Sequence, residues 1–274
     1  MEPWEGPTPD LADPATVALY DEVPLWSAPF GQVLLDAVEL RTGLTVLDVG
    51  CGTGFPLLEL AERLGPDARL HGVDPWVPAM ERLEAKVAAW GLGGRISLHV
   101  SHVESLDLAP VSMDLIVSNN GLNNVADLPR ALAVCSRLSR PRGQLVFTAN
   151  LPGTMAAFYD RLGRALDEAG VADGQRRIAE HIRARRRPAE ELEALTRNAG
   201  FDVEDASIHR FHWCFASAEA LFRHHFVRLA FLESWRALVP EEARPEVFRR
   251  LGETLDREAL RLEIPFTCIS ARRK

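Results

Sequence analysis

Short apolar runs alternate with longer stripes of helical period through the first half of the chain. The runs Thr45 to Val49, Arg69 to Val73, Ile96 to Ser101, Leu115 to Ser118 and Gln144 to Asn150 are rich in valine, leucine and isoleucine, and predict strands buried on both faces. Between them, helical spacing predicts helices over Phe55 to Leu64, through Leu57, Leu58, Leu60, Ala61 and Leu64, over Val77 to Trp90, and over Leu128 to Leu138. Such alternation implies an α/β fold with a parallel sheet covered on both faces. Upstream, prolines 3, 7, 9 and 14 predict an irregular arm, followed by short helices over Thr16 to Glu22 and Gly31 to Glu39.

After Pro152 the pattern turns helical, with helices expected over Thr154 to Ala169, Gly174 to Arg187 and Pro188 to Ala199 before a strand Phe201 to Ile208. A second helical excursion, Ala218 to Leu238 and Pro245 to Leu262, precedes a last short strand, Phe266 to Ala271. No internal repeat or low-complexity tract interrupts this order.

The first strand runs into Val46-Leu47-Asp48-Val49-Gly50-Cys51-Gly52-Thr53-Gly54. Three alternating glycines permit torsions and a close backbone approach that side chains forbid, and Pro56 suits a first helical turn. A glycine loop between strand and helix is on its own a weak sign of a nucleotide ligand. The charges sharpen it. Asp48 at the mouth of the loop repels a pyrophosphate but attracts a ligand carrying an ammonium and a sulfonium. The spacing is also G-x-G-x-G, not the dinucleotide G-x-G-x-x-G. The second strand ends in Asp74, about 20 positions past the glycines, where an acid that binds ribose hydroxyls is expected.

Val46 to Gly54, Gly72 to Pro75 and Asp114 to Asn119 resemble the first, second and fourth motifs of class I S-adenosylmethionine-dependent methyltransferases. Gly121-Leu122-Asn123-Asn124-Val125 is similar to the segment after the fourth strand in the ubiquinone/menaquinone-biosynthesis type and its small-molecule relatives. The resemblance implies a Rossmann-like three-layer sandwich with a mostly parallel seven-stranded sheet, its last strand antiparallel. It implies one methyltransferase domain over residues 1–274, with an N-terminal arm or lid over 1–30 and helical cap insertions over 151–187 and 214–262. It further implies S-adenosyl-L-methionine as cofactor, S-adenosyl-L-homocysteine as product, and a small-molecule methyl acceptor.

On that resemblance, Gly50, Cys51, Gly52 and Gly54 present main chain to the methionyl and ribose parts of the cofactor. Asp48 holds its cationic end directly or through water, or else is an acid that steadies the loop. Asp74, followed by Pro75, offers two carboxylate oxygens to two vicinal hydroxyls, with a helix N-cap as the alternative role. Trp76 stands where the family places a side chain against adenine; ordinary helix packing is its alternative. Ser101-His102-Val103-Glu104 replaces a stretch that often reads Gly-Asp-Ala-Glu, so His102 occupies the place of an aspartate that accepts the adenine amino hydrogen. A neutral imidazole can still accept there, and the Val103 N–H can serve adenine N1. Asn119 and Asn120 end the fourth strand at the edge where open α/β sheets bind ligands, and Asn119 is the stronger candidate of the two.

Methyl transfer from a sulfonium is an in-line displacement that rests on alignment and desolvation, and needs a general base only if the acceptor must lose a proton early. The catalytic candidates are His181, between Ile178 and Ile182 on a helix, and Tyr20; Tyr159 reads as aromatic packing. The basic run from Arg176 to Arg187 is either an attractor for an anionic acceptor or a solvated helix face. Phe222, Phe226, Leu229 and Leu232 form a stripe of the kind that packs. His209, His212, Cys214, His224 and His225 crowd together in sequence, but His209 and His212 fall on opposite strand faces and adjacent helical histidines diverge by about 100°, so no metal site is expected.

A formal net charge of −8 removes the usual driving force for nonspecific nucleic-acid binding. Cys51, Cys135, Cys214 and Cys268 form no CxxC pair, which fits reduced thiols in a cytoplasmic protein. Neither a leader nor an apolar stretch of roughly 20 residues is present, so no membrane insertion is expected. Two other readings use the same pocket: a noncatalytic S-adenosylmethionine-binding regulator, and an NAD-dependent oxidoreductase, which Asp48 and the short glycine spacing disfavour.

Overall fold

The computed structural model describes residues 2–22, 25–256 and 260–274. Its seven strands are β1 (Thr45–Val49), β2 (Arg69–Asp74), β3 (Ile96–Val100), β4 (Met113–Asn119), β5 (Ser139–Asn150), β6 (Phe201–Phe215) and β7 (Leu260–Arg273). They form one sheet in the order β3-β2-β1-β4-β5-β7-β6. The pairs β1–β2, β1–β4, β2–β3 and β4–β5 are parallel, and β7 runs antiparallel to β5 with Asn150 opposite Phe266 and Gln144 opposite Arg272. This is the mostly parallel α/β sandwich the alternation predicts. The strand order reverses between β1 and β4, which opens a crevice at their carboxyl ends.

The helices are α1 (Pro14–Glu22), α2 (Ser27–Ala37), α3 (Leu57–Arg63), α4 (Val77–Ala89), α5 (Leu128–Leu138), α6 (Ala156–Glu168), α7 (Gly174–Arg185), α8 (Ala189–Asn198), α9 (Ala218–Arg223), α10 (His225–Val227), α11 (Glu233–Arg236) and α12 (Arg244–Leu255). Local chemistry sets several of their ends. Asp127 caps α5 by accepting the Arg130 N–H at 3.0 Å, and Ser217 caps α9 through the Ala220 N–H at 3.1 Å.

Two compact units emerge. One contains Ala12–Asn150, Pro188–His209 and Phe266–Lys274 and holds most of the sheet. Its core packs Leu34, Val46, Leu57, Leu60, Leu70, Met80, Leu83, Leu115 and Val117 between helices and strands. The other combines the N-terminal residues through Leu11 with Leu151–Arg187 and Arg210–Pro265, and is chiefly helical. Trp4 stacks there on Phe248 at 5.7 Å, and the Arg236 guanidinium donates to the carbonyls of Trp4 and Gly6, so the proline-rich start of the chain is tied down in this unit.

Several boundaries depart from the sequence reading, among them β5, which starts at Ser139 instead of Gln144. Strand β6 continues past Ile208 to Phe215, and β7 starts at Leu260 instead of Phe266. The reason in β7 is strict alternation: Leu260, Leu262 and Ile264 are buried while Arg261 and Glu263 are exposed, a period of two that belongs to a strand. The helix expected over Pro245 to Leu262 therefore ends at Leu255; part of that expectation, residues 257–259, lies outside the described residues. The helix expected over Ala218 to Leu238 is broken at His224, which is extended, and passes through a π-helical turn at Arg228–Leu232. Among the described residues no helix is long and apolar enough to cross a membrane.

Candidate functional site

Val49 hands the chain from β1 into the glycine loop, and Val73 at the end of β2 anchors it by accepting the N–H groups of Gly50 at 2.8 Å and Cys51 at 3.3 Å. Gly50, Gly52 and Gly54 have φ of 78°, 49° and 112°, all in the range where only glycine is unstrained. They do different jobs. A Cβ on Gly50 would stand 2.5 Å from the Gly121 Cα, and one on Gly54 would stand 2.5 Å from the Leu83 side chain, so these two permit close packing. A Cβ on Gly52 would meet nothing within 4 Å, so this side of the loop faces open space.

Asp74 ties the second strand to that loop. Its Oδ2 accepts the Gly52 N–H at 3.0 Å and its Oδ1 accepts the Trp76 N–H at 2.8 Å. It sits two residues before the α4 cap position, which is Trp76. A carboxylate has about four acceptor sites, so two amide bonds leave capacity for ligand hydroxyls. Burial pushes the Asp74 carboxyl up, against the pull of those amides and of the nearby His102.

Asp48 is placed differently from expectation. It is fully buried and both carboxyl oxygens lack a hydrogen-bond partner. Burial first, and the Asp74 charge second, push it up to about 8; the Leu57 N–H pulls the other way without reaching hydrogen-bond geometry. Asp48 thus lies buried behind the loop, not at its mouth.

A cavity opens in front of the loop, lined by Tyr20, Asp21, Ser27, Gly50, Cys51, Gly52, Thr53, Phe55 and Asn119. Of the sequence-predicted residues, Tyr20, Gly50, Cys51, Gly52 and Asn119 meet there. Gly54 packs under the loop, and Asp74 joins through Gly52. Trp76 joins through Tyr20, whose ring it meets edge-on at 5.2 Å. Pro75 and His102 are exposed, and Val103 is buried in the turn after His102. Burial, with the charges of Asp74 and Asp21, raises the Tyr20 phenol above its usual value, so Tyr20 stays protonated and serves as a polar wall, not as a base.

Asn119 is held at both ends of its amide. Its Nδ2 donates to the Ser27 carbonyl at 3.1 Å and its Oδ1 accepts from the Thr148 hydroxyl at 3.1 Å. Ser118 donates to the Val49 carbonyl at 2.7 Å and accepts the Leu122 N–H at 2.8 Å, which fixes β4 against the loop. Asn120, with φ 61°, keeps both amide atoms buried and unpartnered.

Asp21, Ser27, Thr53, Phe55 and Thr148 were not singled out from sequence. Asp21 pairs with Lys86 at 2.7 Å and Arg82 at 3.0 Å on α4. Burial raises its carboxyl, but bonds from Lys86, Arg82 and Thr53 bring it below the usual range. The i, i+4 spacing of Arg82 and Lys86 was the one readable signal, and it does not name their partner.

His181 belongs to the helical unit. Its Nδ1 meets Arg185 at 3.0 Å and its Nε2 meets the Tyr159 hydroxyl at 3.1 Å, so both ring nitrogens are engaged. Burial, then the charges of Arg185 and Arg186, lower it to about 4. Such an imidazole is neutral and weakly basic at neutral pH, a poor fit to the general base expected from sequence. Among the described residues no group of His, Cys, Asp or Glu is arranged to hold a metal ion.

Residues 46–143 match the family model described as a methyltransferase domain. Nocamycin O-methyltransferase of Saccharothrix syringae is 34% identical over 124 residues, 45% of this chain and 44% of that protein. A ubiquinone/menaquinone biosynthesis C-methyltransferase of Geotalea daltonii is 35% identical over 101 residues, 37% of this chain and 43% of that protein. The chain spans 39% to 54% of the lengths of the first curated relatives it matches. The crystal structure of the YcgJ protein from Bacillus subtilis aligns over 89% of this chain and 97% of its own at a TM-score of 0.59 and 16% identity, a likeness of fold. The matched segment begins in β1, runs through the glycine loop and Asp74, and includes the strand reversal that makes the crevice. Residues 46–143 thus carry a methyltransferase domain, and the chain is similar there to S-adenosylmethionine-dependent methyltransferases.

Proposed function

We propose that the protein binds S-adenosylmethionine in the cavity before Gly52 and catalyses in-line methyl transfer to a small-molecule acceptor. The observation that carries this reading is the open face of Gly52, held by Asp74 and backed by the buried Asp48. The Asp74 carboxylate beside the loop suits a ligand with hydroxyls and a positive charge and disfavours a pyrophosphate, and a cationic ligand would draw the buried Asp48 toward its ionised form. S-adenosylmethionine supplies the methyl group. The chain's part is to bind through Asp74 and the loop main chain, to wall the cavity with Tyr20 and Phe55, and to hold Asn119 rigid at the crevice floor. Alignment and exclusion of water then do most of the catalytic work.

Calorimetric titration with S-adenosylmethionine tests the binding step. Saturable binding by the wild type and at least about tenfold weaker binding by Asp74→Ala are expected, since charge-assisted hydrogen bonds are lost. Equal, negligible binding by both proteins rejects the reading. A second reading, a cofactor-binding regulator without turnover, draws support from His181 and Tyr20, neither of which offers a ready base. A panel of hydroxyl, amine, thiol and carbon acceptors, followed through S-adenosylhomocysteine release, separates the two. Release above the protein-free rate rejects the regulator.

A further inference from the structure

The helical unit buries a positive charge that has no negative partner. Arg186, just past the end of α7, is only 4% exposed; its guanidinium lies over the Tyr159 ring at 5.4 Å and makes one marginal hydrogen bond, from one terminal nitrogen to the Tyr159 hydroxyl at 3.5 Å. Its other terminal nitrogen is buried without any partner. Among the described residues no carboxylate pairs with it, whereas exposed arginines nearby, such as Arg176, pair with two. An arginine cannot shed its charge to escape such a place, and an uncompensated buried charge costs several kcal/mol.

The groups around it share the same sign of polarity. Arginine only donates, so the Arg185 contact makes His181 Nδ1 an acceptor, and the neutral ring then carries its proton on Nε2. That proton points to the Tyr159 oxygen. The Trp235 Nε1–H also donates to this oxygen, at 3.2 Å, from an indole stacked 4.0 Å from Phe158 and 5.6 Å from Phe231. Tyr159 therefore faces three donors, and its own proton is left without an acceptor. A donor cluster with one orphaned guanidinium nitrogen and one unclaimed phenol proton is complementary to an oxyanion. Arg185, at the outer end of the cluster, is exposed.

We propose that Arg186 and Tyr159 form a binding site for a carboxylate or phosphate group carried by a small organic molecule. The Arg186 guanidinium supplies the charge and the Tyr159 hydroxyl donates the second bond, while Trp235 and His181 fix the phenol. The site lies wholly within the helical unit and does not depend on the methyltransferase reading.

The test is calorimetric titration of the full chain with benzoate and, separately, phenyl phosphate in chloride-free buffer, for wild type, Arg186→Met, Tyr159→Phe and the exposed control Arg183→Met. We expect saturable binding of at least one anion by wild type and Arg183→Met, weakened about tenfold or more in Arg186→Met and by a smaller factor in Tyr159→Phe. Benzoate alone identifies a carboxylate ligand; phenyl phosphate alone identifies a phosphate. Without anion, Arg186→Met is expected to melt at a higher temperature than wild type, because the buried charge is gone. Failure of both anions to bind wild type, or binding unchanged in Arg186→Met, overturns the proposal. Should Arg186→Met not fold, unchanged binding by Tyr159→Phe overturns it and weakened binding supports it.

Discussion

Asp74 and Gly52, 22 positions apart, are joined by a hydrogen bond of 3.0 Å from the glycine amide to the carboxylate. The same side chain also accepts the Trp76 amide, so one acid sets the loop after β1 and the start of α4 together. Replacing it removes a charged acceptor from two backbone donors. Asp74→Ala is expected to lose about 1–3 kcal/mol of folding stability, with Asp74→Asn losing less because one acceptor oxygen remains. Urea unfolding measures both. Equal stability of all three proteins would mean that water replaces the carboxylate without cost.

The glycines of the loop are expected to separate by role. Gly50→Ala drives a Cβ to within 2.5 Å of the Gly121 backbone at a φ of 78°, so it should destabilise the fold by roughly 2 kcal/mol or more. Gly52→Ala adds a Cβ facing open space and bears only the left-handed backbone cost of about 1 kcal/mol. It should fold, yet bind S-adenosylmethionine more weakly. Melting curves and calorimetry on the two variants report the contrast, and a Gly52→Ala protein with wild-type affinity would place the ligand elsewhere.

The sheet was legible because β1 to β4 and the buried half of β5 are short apolar runs separated by clear helical stripes, and because Asp48 and Asp74 sit at strand ends. The ends of β6 and β7 were not. Beyond Ile208 the strand is half exposed, with residues such as Arg210 and His212 that carry no burial signal, and in β7 the short alternation Leu260 to Ile264 follows directly on the helical stripe of α12 and reads as its continuation. The site was half legible. Motif and spacing name the loop, but burial decides what Asp48 does, and spacing along the chain is blind to that. Nor does sequence distinguish Arg186 from its neighbours in a run of arginines; only the fold turns that one inward, beside Tyr159 from a different helix.

Acid should weaken the fold partly through His181. Its ring is held neutral in the folded protein down to about pH 4 by burial and by Arg185 and Arg186, with Tyr159 as its other neighbour, whereas in the unfolded chain it gains a proton near pH 6.5. The unfolded state therefore binds the extra proton between these values, and stability falls as pH drops from about 6.5 to about 4, by about 2–3 kcal/mol for this group. His71, His99 and His224 are lowered too and add to the slope. Denaturant unfolding across that range should show a shallower decline in His181→Gln than in wild type. An identical slope would show that the ring titrates as it does in the unfolded chain.

Asp48 couples ligand binding to protons in the opposite pH direction. Burial and Asp74 hold its carboxyl protonated to about pH 8 in the folded protein, while the unfolded group ionises near 3.8. The unfolded state is the one that releases the proton first, so this group lowers stability as pH rises from about 4 to about 8. A cationic ligand in front of the loop favours the ionised form and lowers that value. Binding of S-adenosylmethionine is therefore expected to release up to one proton near pH 7 and to tighten between pH 6 and 8. Titrations in two buffers of different ionisation enthalpy count the proton directly. Asp48→Asn keeps the shape and cannot ionise, so it should abolish both the release and the pH dependence; proton release that persists in this variant would assign the linkage to another group.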